Sequence, residues 1–287
     1  MLTLTHTPPN DSLVFGSLKA EFSNPHGLEE LETPIIFRVK SSVSGKTLWE
    51  SVLSPGSWSQ YPIIFNTVSH FERNGKIISE FIWDTFLHGD LTHQQMMLWS
   101  LDNPGSFGVA IGTHDGESGE WVEPLRSGLL RAVLVEASDS QFSALEKNYE
   151  NVWNCKSQKC LVTPNGGEII FWESEDASYT NSVKRDHVEK FSNKLKAKPM
   201  QSISINDLLD RQTEPAKWLH LDVEGIDVDL IMCLSEKHIS SLELIIYETL
   251  NSSEESKQTC RDFLQQRGFF VVEKGWNTLA TRKKIIF

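Results

Sequence analysis

The stretch FGVAIGTHDGESGEW, residues 107 to 121, decides how the rest of the chain is read. A short apolar run ends at Gly112, and a loop bearing Gly112 and Gly116 leads into polar residues. This is the pattern of a buried strand, a glycine loop and the start of a helix. Turns of this kind hold nucleotides in α/β proteins.

Outward from that turn, strand and helix patterns alternate. Strands are expected at 106–111 and 131–136, with a helix at 138–148 directly after the second strand. Phe142, Leu145 and Tyr149 recur at helical spacing, and Ser138 with Gln141 fits a capping box. Short strands at 161–164 and 168–173 surround Asn165-Gly166-Gly167. Residues 183–197 read as a helix with Val188, Phe191 and Leu195 on one face. Strands come next at 218–223 and 242–248, then a helix at 260–268 ending on Gly268, then strands 269–274 and 279–283. Such alternation implies an α/β fold built on a mostly parallel sheet with helices on both faces.

The first third of the chain has another texture. Residues 1–33 are rich in Pro, Asn, Ser and Thr without a clear period and read as a loose arm. Residues 34–90 read as a small antiparallel β unit. IIFRVKSS and TLWESVL flank a Ser-Gly-Lys turn, and PIIFNTVSHF and IISEFIWDTF flank Asn74-Gly75, a strong hairpin signal. A helix at 92–101 then opens the α/β domain, residues 91–287.

Composition narrows the function. The 287 residues are 39% hydrophobic and 23% charged, with nine Trp and fifteen Phe, as expected of a folded globular chain. A net charge of −12 repels phosphate backbones and anionic membranes, which argues against a nucleic-acid partner. Cys155, Cys160, Cys233 and Cys260 match neither a zinc spacing nor a disulfide framework. MLTLTHTPPNDS lacks the layout of a signal peptide, and no run approaches the ~20 apolar residues of a membrane helix. The expectation is a cytoplasmic protein without a membrane span.

Ligands of open α/β sheets bind at the carboxyl ends of the strands. Acidic residues stand at three such ends: Asp115 in the glycine loop, Glu136, and Asp222 with Glu224. Glu136 follows Gly112 at the separation at which a carboxylate accepts hydrogen bonds from a ribose diol. That fits both NAD and S-adenosylmethionine. The loop separates the two. Its glycines are spaced G-x-x-x-G rather than G-x-G-x-x-G, and Asp115, Glu117 and Glu120 crowd a place where a pyrophosphate wants bare amides. S-adenosylmethionine carries a sulfonium and an ammonium and no phosphate, so an acidic loop suits it. An ordinary acidic helix start would explain Glu117 and Glu120 alone.

AIGTHDGESG, LVEASDSQFSALEKNY, SISINDLLD, WLHLDVEGIDVDLI and LELIIYET, in that order, resemble the FkbM-type methyltransferases over about residues 92 to 285. The resemblance implies a Rossmann-like, S-adenosylmethionine-dependent O-methyltransferase acting on sugars and natural products. It implies cofactor contacts from Gly112, Thr113, His114, Asp115, Gly116, Glu136, Ala137 and Ser138. Its most specific element is Asp222-Val223-Glu224-Gly225. Where the family has an Asp two residues before the first glycine, this chain has Ala110.

Methyl transfer needs alignment of acceptor oxygen, methyl and sulfur, and a group to take the hydroxyl proton. Asp222, Glu224 and Glu248 are the catalytic candidates, the first two on the strength of the resemblance. In extended geometry Asp222 and Glu224 project to the same side. His114 reads as a loop hydrogen-bonding residue and His220 as a packed strand residue. No spacing demands a metal; in a less favoured variant Asp222, Glu224 and Glu248 gather Mg²⁺. The polar run Ser178–Ser182 suits a sugar acceptor or is a plain loop. The basic residues Lys184, Arg185, Lys190, Lys194, Lys196 and Lys198 read as a solvated face. The rings of the β unit (Trp49, Trp58, Tyr61, Trp83), with His88-Gly89-Asp90, form its own core, face a glycan, cover the acceptor pocket, or make a homo-oligomer contact. The partner expected is a small-molecule or glycan acceptor. Two other readings stay open: an NAD-dependent oxidoreductase, and a non-catalytic methyltransferase-like module whose β unit binds carbohydrate.

Overall fold

The structure, a computed structural model, describes residues 2–6, 18–22, 35–41, 47–53, 68–73, 76–83, 91–126, 128–176 and 178–283, with side chains from Thr92 onward except those of Gln94, Leu101 and Ser178. The chain divides into two compact units. One comprises Met1–Gly105, Arg126–Leu129 and Ile286; the other comprises Ser106–Leu125, Leu130–Ile285 and Phe287.

In the first unit, β1 (Leu2–His6) and β2 (Leu18–Phe22) pair antiparallel, within the segment whose composition suggests a loose arm. A separate sheet has β3 (Ile35–Ser41), β4 (Thr47–Leu53), β5 (Val68–Arg73) and β6 (Lys76–Trp83) in the order β4-β3-β6-β5. The two hairpins are antiparallel, as the turn signals imply. They are joined through β3 and β6, which run parallel, an arrangement that turn chemistry cannot reveal. Trp49 and Trp83 lie on β4 and β6, but their side chains, with Trp58, Tyr61 and residues 88–90, lie outside the described residues. Helix α1 (Leu91–Asp102) also falls in this unit.

The second unit is built on seven strands. They are β7 (Ser106–Ile111), β8 (Leu130–Glu136), β9 (Cys155–Lys159), β13 (Trp218–Leu221), β14 (Leu244–Glu248), β15 (Phe270–Lys274) and β16 (Asn277–Thr281). Their order is β15-β16-β14-β13-β7-β8-β9, and only β16 runs against its neighbours. This is a Rossmann-like arrangement, a mostly parallel sheet with an antiparallel strand inserted near one edge. Every residue of β13, and all of β7 after Ser106, is buried, which a parallel sheet covered on both faces requires. On one face Phe107, Val109, Ile111, Leu219, Leu221 and Ile245 form a core with Leu208, Leu230, Ile239 and Leu264. Those four come from α5 (Ile205–Asp210), α6 (Asp227–Met232), α7 (Glu236–Ser241) and α8 (Glu254–Gln266). Buried side chains of α2 (Val122–Arg126) and α3 (Asp139–Tyr149), including Leu125 and Leu145, lie outside that cluster.

A three-stranded sheet, β10 (Leu161–Thr163), β12 (Leu195–Ser204) and β11 (Gly167–Ser174), is inserted between β9 and β13. Here the sequence expectation fails. The helix expected over 183–197 is a single turn, α4 (Arg185–Val188), and Leu195 opens β12 instead. Val188 is fully buried while Phe191 is half exposed, so the supposed apolar face is split. β11 pairs with β12 from Gly167↔Ser202 to Ser174↔Leu195, and that ladder outweighs a weak helical period. The capping box is absent as well: Ser138 precedes α3 but its side chain makes no capping hydrogen bond. Among the described residues no helix is long and apolar enough to cross a membrane.

Candidate active site

The strand order reverses between β7 and β13, and the cleft of the second unit opens there, at the carboxyl edge of the sheet. Gly112 ends β7 against the loop after β13. A Cβ at Gly112 would lie 1.8 Å from the Asp222 carbonyl oxygen, and its φ is +77°, so glycine alone lets the two loops meet. The Gly112 and Thr113 N–H groups donate to the Val135 carbonyl at 2.9 and 3.2 Å, tying the loop to β8. Gly116 sits against α3, where a Cβ would lie 2.4 Å from the Tyr149 ring, and the Tyr149 hydroxyl donates to the Gly116 carbonyl.

Glu136 ends β8, only 8% exposed. One carboxylate oxygen accepts the His114 N–H at 2.9 Å and the other accepts the Ser138 N–H at 2.8 Å. A carboxylate offers about four acceptor positions, so about two remain for a ligand. Burial pushes its pKa up, opposed by these N–H bonds.

The cleft is partly open to solvent, and its walls mix polar and apolar side chains. Of the residues expected to hold a cofactor, Gly112, His114, Glu136 and Ala137 line it. Thr113, Asp115, Gly116 and Ser138 do not. They brace the loop: Asp115 accepts the Glu117 N–H, and Ser138 fixes Glu136. The far wall includes Cys160, Leu161, Phe171, Tyr179, Asn181 and Ser182, so part of the polar run 178–182 does face the cleft. No lining residue is a lysine or arginine. Most of the basic segment points elsewhere: Lys198 pairs with Asp139, Arg185 with Glu189, and Lys190, Lys194 and Lys196 are exposed, while Lys184 reaches the loop after β13.

At the sheet edge, carboxylate oxygens of Asp222, Glu224 and Glu248 lie within 4.8 Å of one another. Extended geometry does not bring them there. Glu224 has φ +56° and Gly225 φ +107°, so the chain bends sharply after Val223. Buried Asp227 holds the bend, accepting the Val223 N–H at 3.1 Å and the Gly225 N–H at 3.3 Å. The Ser182 hydroxyl donates to the Glu224 carbonyl at 2.7 Å, and the Lys184 ammonium donates to the Gly225 carbonyl. Asp222 is reached by solvent through the cleft, yet the surrounding protein removes most bulk water from its carboxyl. Burial pushes its pKa up to about 6, reinforced by Glu224 and Glu120 and opposed by His220. Burial, then Glu224 and Asp222, pushes Glu248 up to about 7.

Two residues escaped the sequence reading, and Glu120, read there as part of an acidic loop, turns inward instead. Asp227 is one. His187, 3% exposed, places Nε2 2.9 Å from Glu224 Oε2. Glu120 lies 2.7 Å from His220 Nε2 and accepts from Asn277 Nδ2, also at 2.7 Å. His220 is thus a buried, paired residue, not a base in the cleft. It lies opposite Ala110 in the β7–β13 register, so Ala110 has a buried carboxylate–imidazole pair as its neighbour.

No family profile and no curated protein matches the sequence. Among solved structures, the chain is similar to the methyltransferase FkbM from Methylobacillus flagellatus KT (12% identity, 62% of this chain and 43% of that one, TM-score 0.41). It is similar to the methyltransferase domain of METTL16 (12% identity, 69% of this chain and 67% of that one, TM-score 0.40). It is also similar to precorrin-6y C5,15-methyltransferase from Geobacter metallireducens GS-15 (10% identity, 67% of this chain and 86% of that one, TM-score 0.39).

Proposed function

We propose that this chain is an S-adenosylmethionine-dependent methyltransferase that transfers the methyl group to a hydroxyl of a sugar or related metabolite. The observation that carries the reading is Glu136. It is a buried carboxylate pinned by two backbone amides, with acceptor capacity left toward the cleft, across from a glycine loop at the reversal of the sheet. A ribose diol fits that capacity. The absence of lysine and arginine from the lining suits a sulfonium ligand and disfavours a pyrophosphate.

The acceptor side falls to Asp222, Glu224 and Glu248, where carboxylates take the hydrogen bond of an incoming hydroxyl and turn its oxygen toward the methyl carbon. As the C–O bond forms and the C–S bond breaks, sulfur keeps the electron pair and the hydroxyl proton passes to this carboxylate group. Tyr179, Asn181 and Ser182 border the same cleft with groups suited to a polyhydroxylated acceptor.

The test is calorimetric titration with S-adenosylmethionine, S-adenosylhomocysteine and NAD, then transfer of labelled methyl to a panel of sugars. Binding of both adenosyl ligands but not NAD is expected. Binding without transfer to any hydroxyl acceptor would favour the non-catalytic module, for which Ala110 speaks; preferential NAD binding would overturn the proposal.

A further inference from the structure

Backbone strain and its restraints converge on the bend after β13. Among the described residues only His114 and Glu224 are non-glycine residues with positive φ, at +51° and +56°, and both line the cleft. Such conformations are costly for a residue with a Cβ and persist only where the surroundings over-determine them. At Glu224 the restraints come from two sources. Buried Asp227 accepts the Val223 and Gly225 N–H groups. Residues 182–187, which follow β11 in the inserted sheet, supply the rest.

This segment is a strap anchored at both ends. It begins against β11, where the Ser182 N–H donates to the Trp172 carbonyl at 3.1 Å and the Trp172 N–H donates back at 2.8 Å. It ends in α4, where Val188 is fully buried and the Arg185 guanidinium lies over the Trp172 ring. Three of its side chains reach the bend. The Ser182 hydroxyl donates to the Glu224 carbonyl at 2.7 Å and accepts the Lys184 N–H at 3.0 Å. The Lys184 ammonium donates to the Gly225 carbonyl, and its stem passes 3.5 Å from where a Cβ at Gly225 would stand. The His187 imidazole, buried against the Phe191 ring, stands 2.9 Å from Glu224 Oε2. The first two fix the backbone of the bend, and the third meets the carboxylate itself.

We propose that Ser182, Lys184 and His187 are positioning residues that lock the left-handed turn at Glu224 and aim its carboxylate into the cleft. The proposal rests on the acceptor role given to Glu224 above. A carboxylate takes a hydrogen bond or a proton only from a group within about 3 Å and in line with it, so rotation of a single peptide at the bend carries it out of range. Asn181, Ser182 and Val183 also line the cleft. A bound acceptor therefore meets the same strap that sets its proton acceptor, which ties recognition of the acceptor to the placement of Glu224.

The experiment compares Lys184→Met, Lys184→Arg, His187→Gln and Asp229→Asn with wild type in the full chain, by amide hydrogen exchange and by calorimetry. Lys184 is partly exposed and Met keeps most of its stem, so Lys184→Met retains the fold even if His187→Gln does not. Lys184→Met should speed exchange of the Gly225 amide by about tenfold, the scale of one lost hydrogen bond from a charged donor. Lys184→Arg keeps a donor and should restore protection. Asp229→Asn removes only the 3.7 Å partner of Lys184 outside the bend and should change nothing. Calorimetry uses S-adenosylhomocysteine and the S-adenosylmethionine analogue in which a carbon bearing an ammonium group replaces the methylated sulfur. Wild type should prefer the ammonium by about tenfold or more, because that group faces the Glu224 carboxylate from the methyl position. Lys184→Met and His187→Gln should lose most of this preference while binding S-adenosylhomocysteine as wild type does; a generally loosened fold would weaken both ligands together. Unchanged exchange in Lys184→Met, or a preference that wild type lacks or the variants keep, overturns the proposal. Failure of wild type to bind either adenosyl ligand is instead the failure of the methyltransferase reading, and the exchange data then still decide whether the strap holds the bend.

Discussion

Replacing Glu136 with Ala tests the cofactor side most directly. Its two oxygens each hold one backbone N–H, at 2.9 and 2.8 Å, and keep about one further acceptor position each. If both positions meet ribose hydroxyls, two hydrogen bonds to an ionised group are lost. At the lower end of about 1.5 kcal/mol each, the loss is about 3 kcal/mol, or on the order of a hundredfold in Kd. The substitution also strands the His114 and Ser138 amides, so part of any loss could come from a loosened loop. A double-mutant cycle removes that ambiguity. Calorimetry on wild type and variant, each with S-adenosylhomocysteine and with its 2′,3′-dideoxy analogue, isolates the diol contribution. The variant should bind the two ligands almost equally, whereas wild type should prefer the diol by about a hundredfold. Equal preference in both proteins would refute the assignment, even if the variant binds everything poorly.

Three further outcomes are expected from the geometry. Gly112→Ala should lower stability by roughly 2–5 kcal/mol and abolish adenosyl binding, because a Cβ collides with the Asp222 carbonyl at a positive φ; denaturant melts and titration check both. Cys160 lines the cleft while Cys155 does not, and burial pushes both thiols up to about 11. Alkylation at pH 8 should be slow at each, and S-adenosylhomocysteine should protect Cys160 but not Cys155, as peptide mapping would show. Burial holds His238 below its ordinary value despite Asp210 Oδ1 at 3.2 Å. The unfolded chain therefore takes up this proton first as pH falls through about 6.5. The stability involved is complete above that pH and is lost below it, toward the folded-state pKa. His238→Gln should flatten the decline in unfolding free energy between pH 7.5 and 5.5, and an unchanged slope would contradict the assignment.

The parts of the fold that were legible are those written locally. β7, the helix α3 and the strands β13 and β14 each declare themselves by apolar runs or helical spacing, and Gly112 and Gly116 mark a turn that only close backbone approach explains. The parts that were hidden depend on distant partners. β9, with the polar sequence Cys155–Lys159, is a strand because β8 pairs with it. β12 defeats a helical period because β11 lies alongside. The site divides in the same way. Glu136 was readable from its distance to Gly112, and the pairing of Asp222 with Glu224 from a resembled motif. His187 carries no local mark and Glu120 reads locally as one more acidic loop residue, since each acquires meaning from a residue brought up by another strand or loop.

The order of the strands also governs when the cleft can exist. Ile111 of β7 pairs with Leu221 of β13, more than a hundred positions later, and the cleft lies across that seam. The first central strand to leave the ribosome must therefore wait for one synthesised long afterwards before its second edge is covered. Contacts so remote in sequence slow folding, and they leave β7 and β8 as an open apolar edge during synthesis. A nascent chain stopped before residue 218 should hold no ligand, because half of the cleft's seam has not yet been made. By this order of synthesis the cleft is completed late, as a property of the whole sheet.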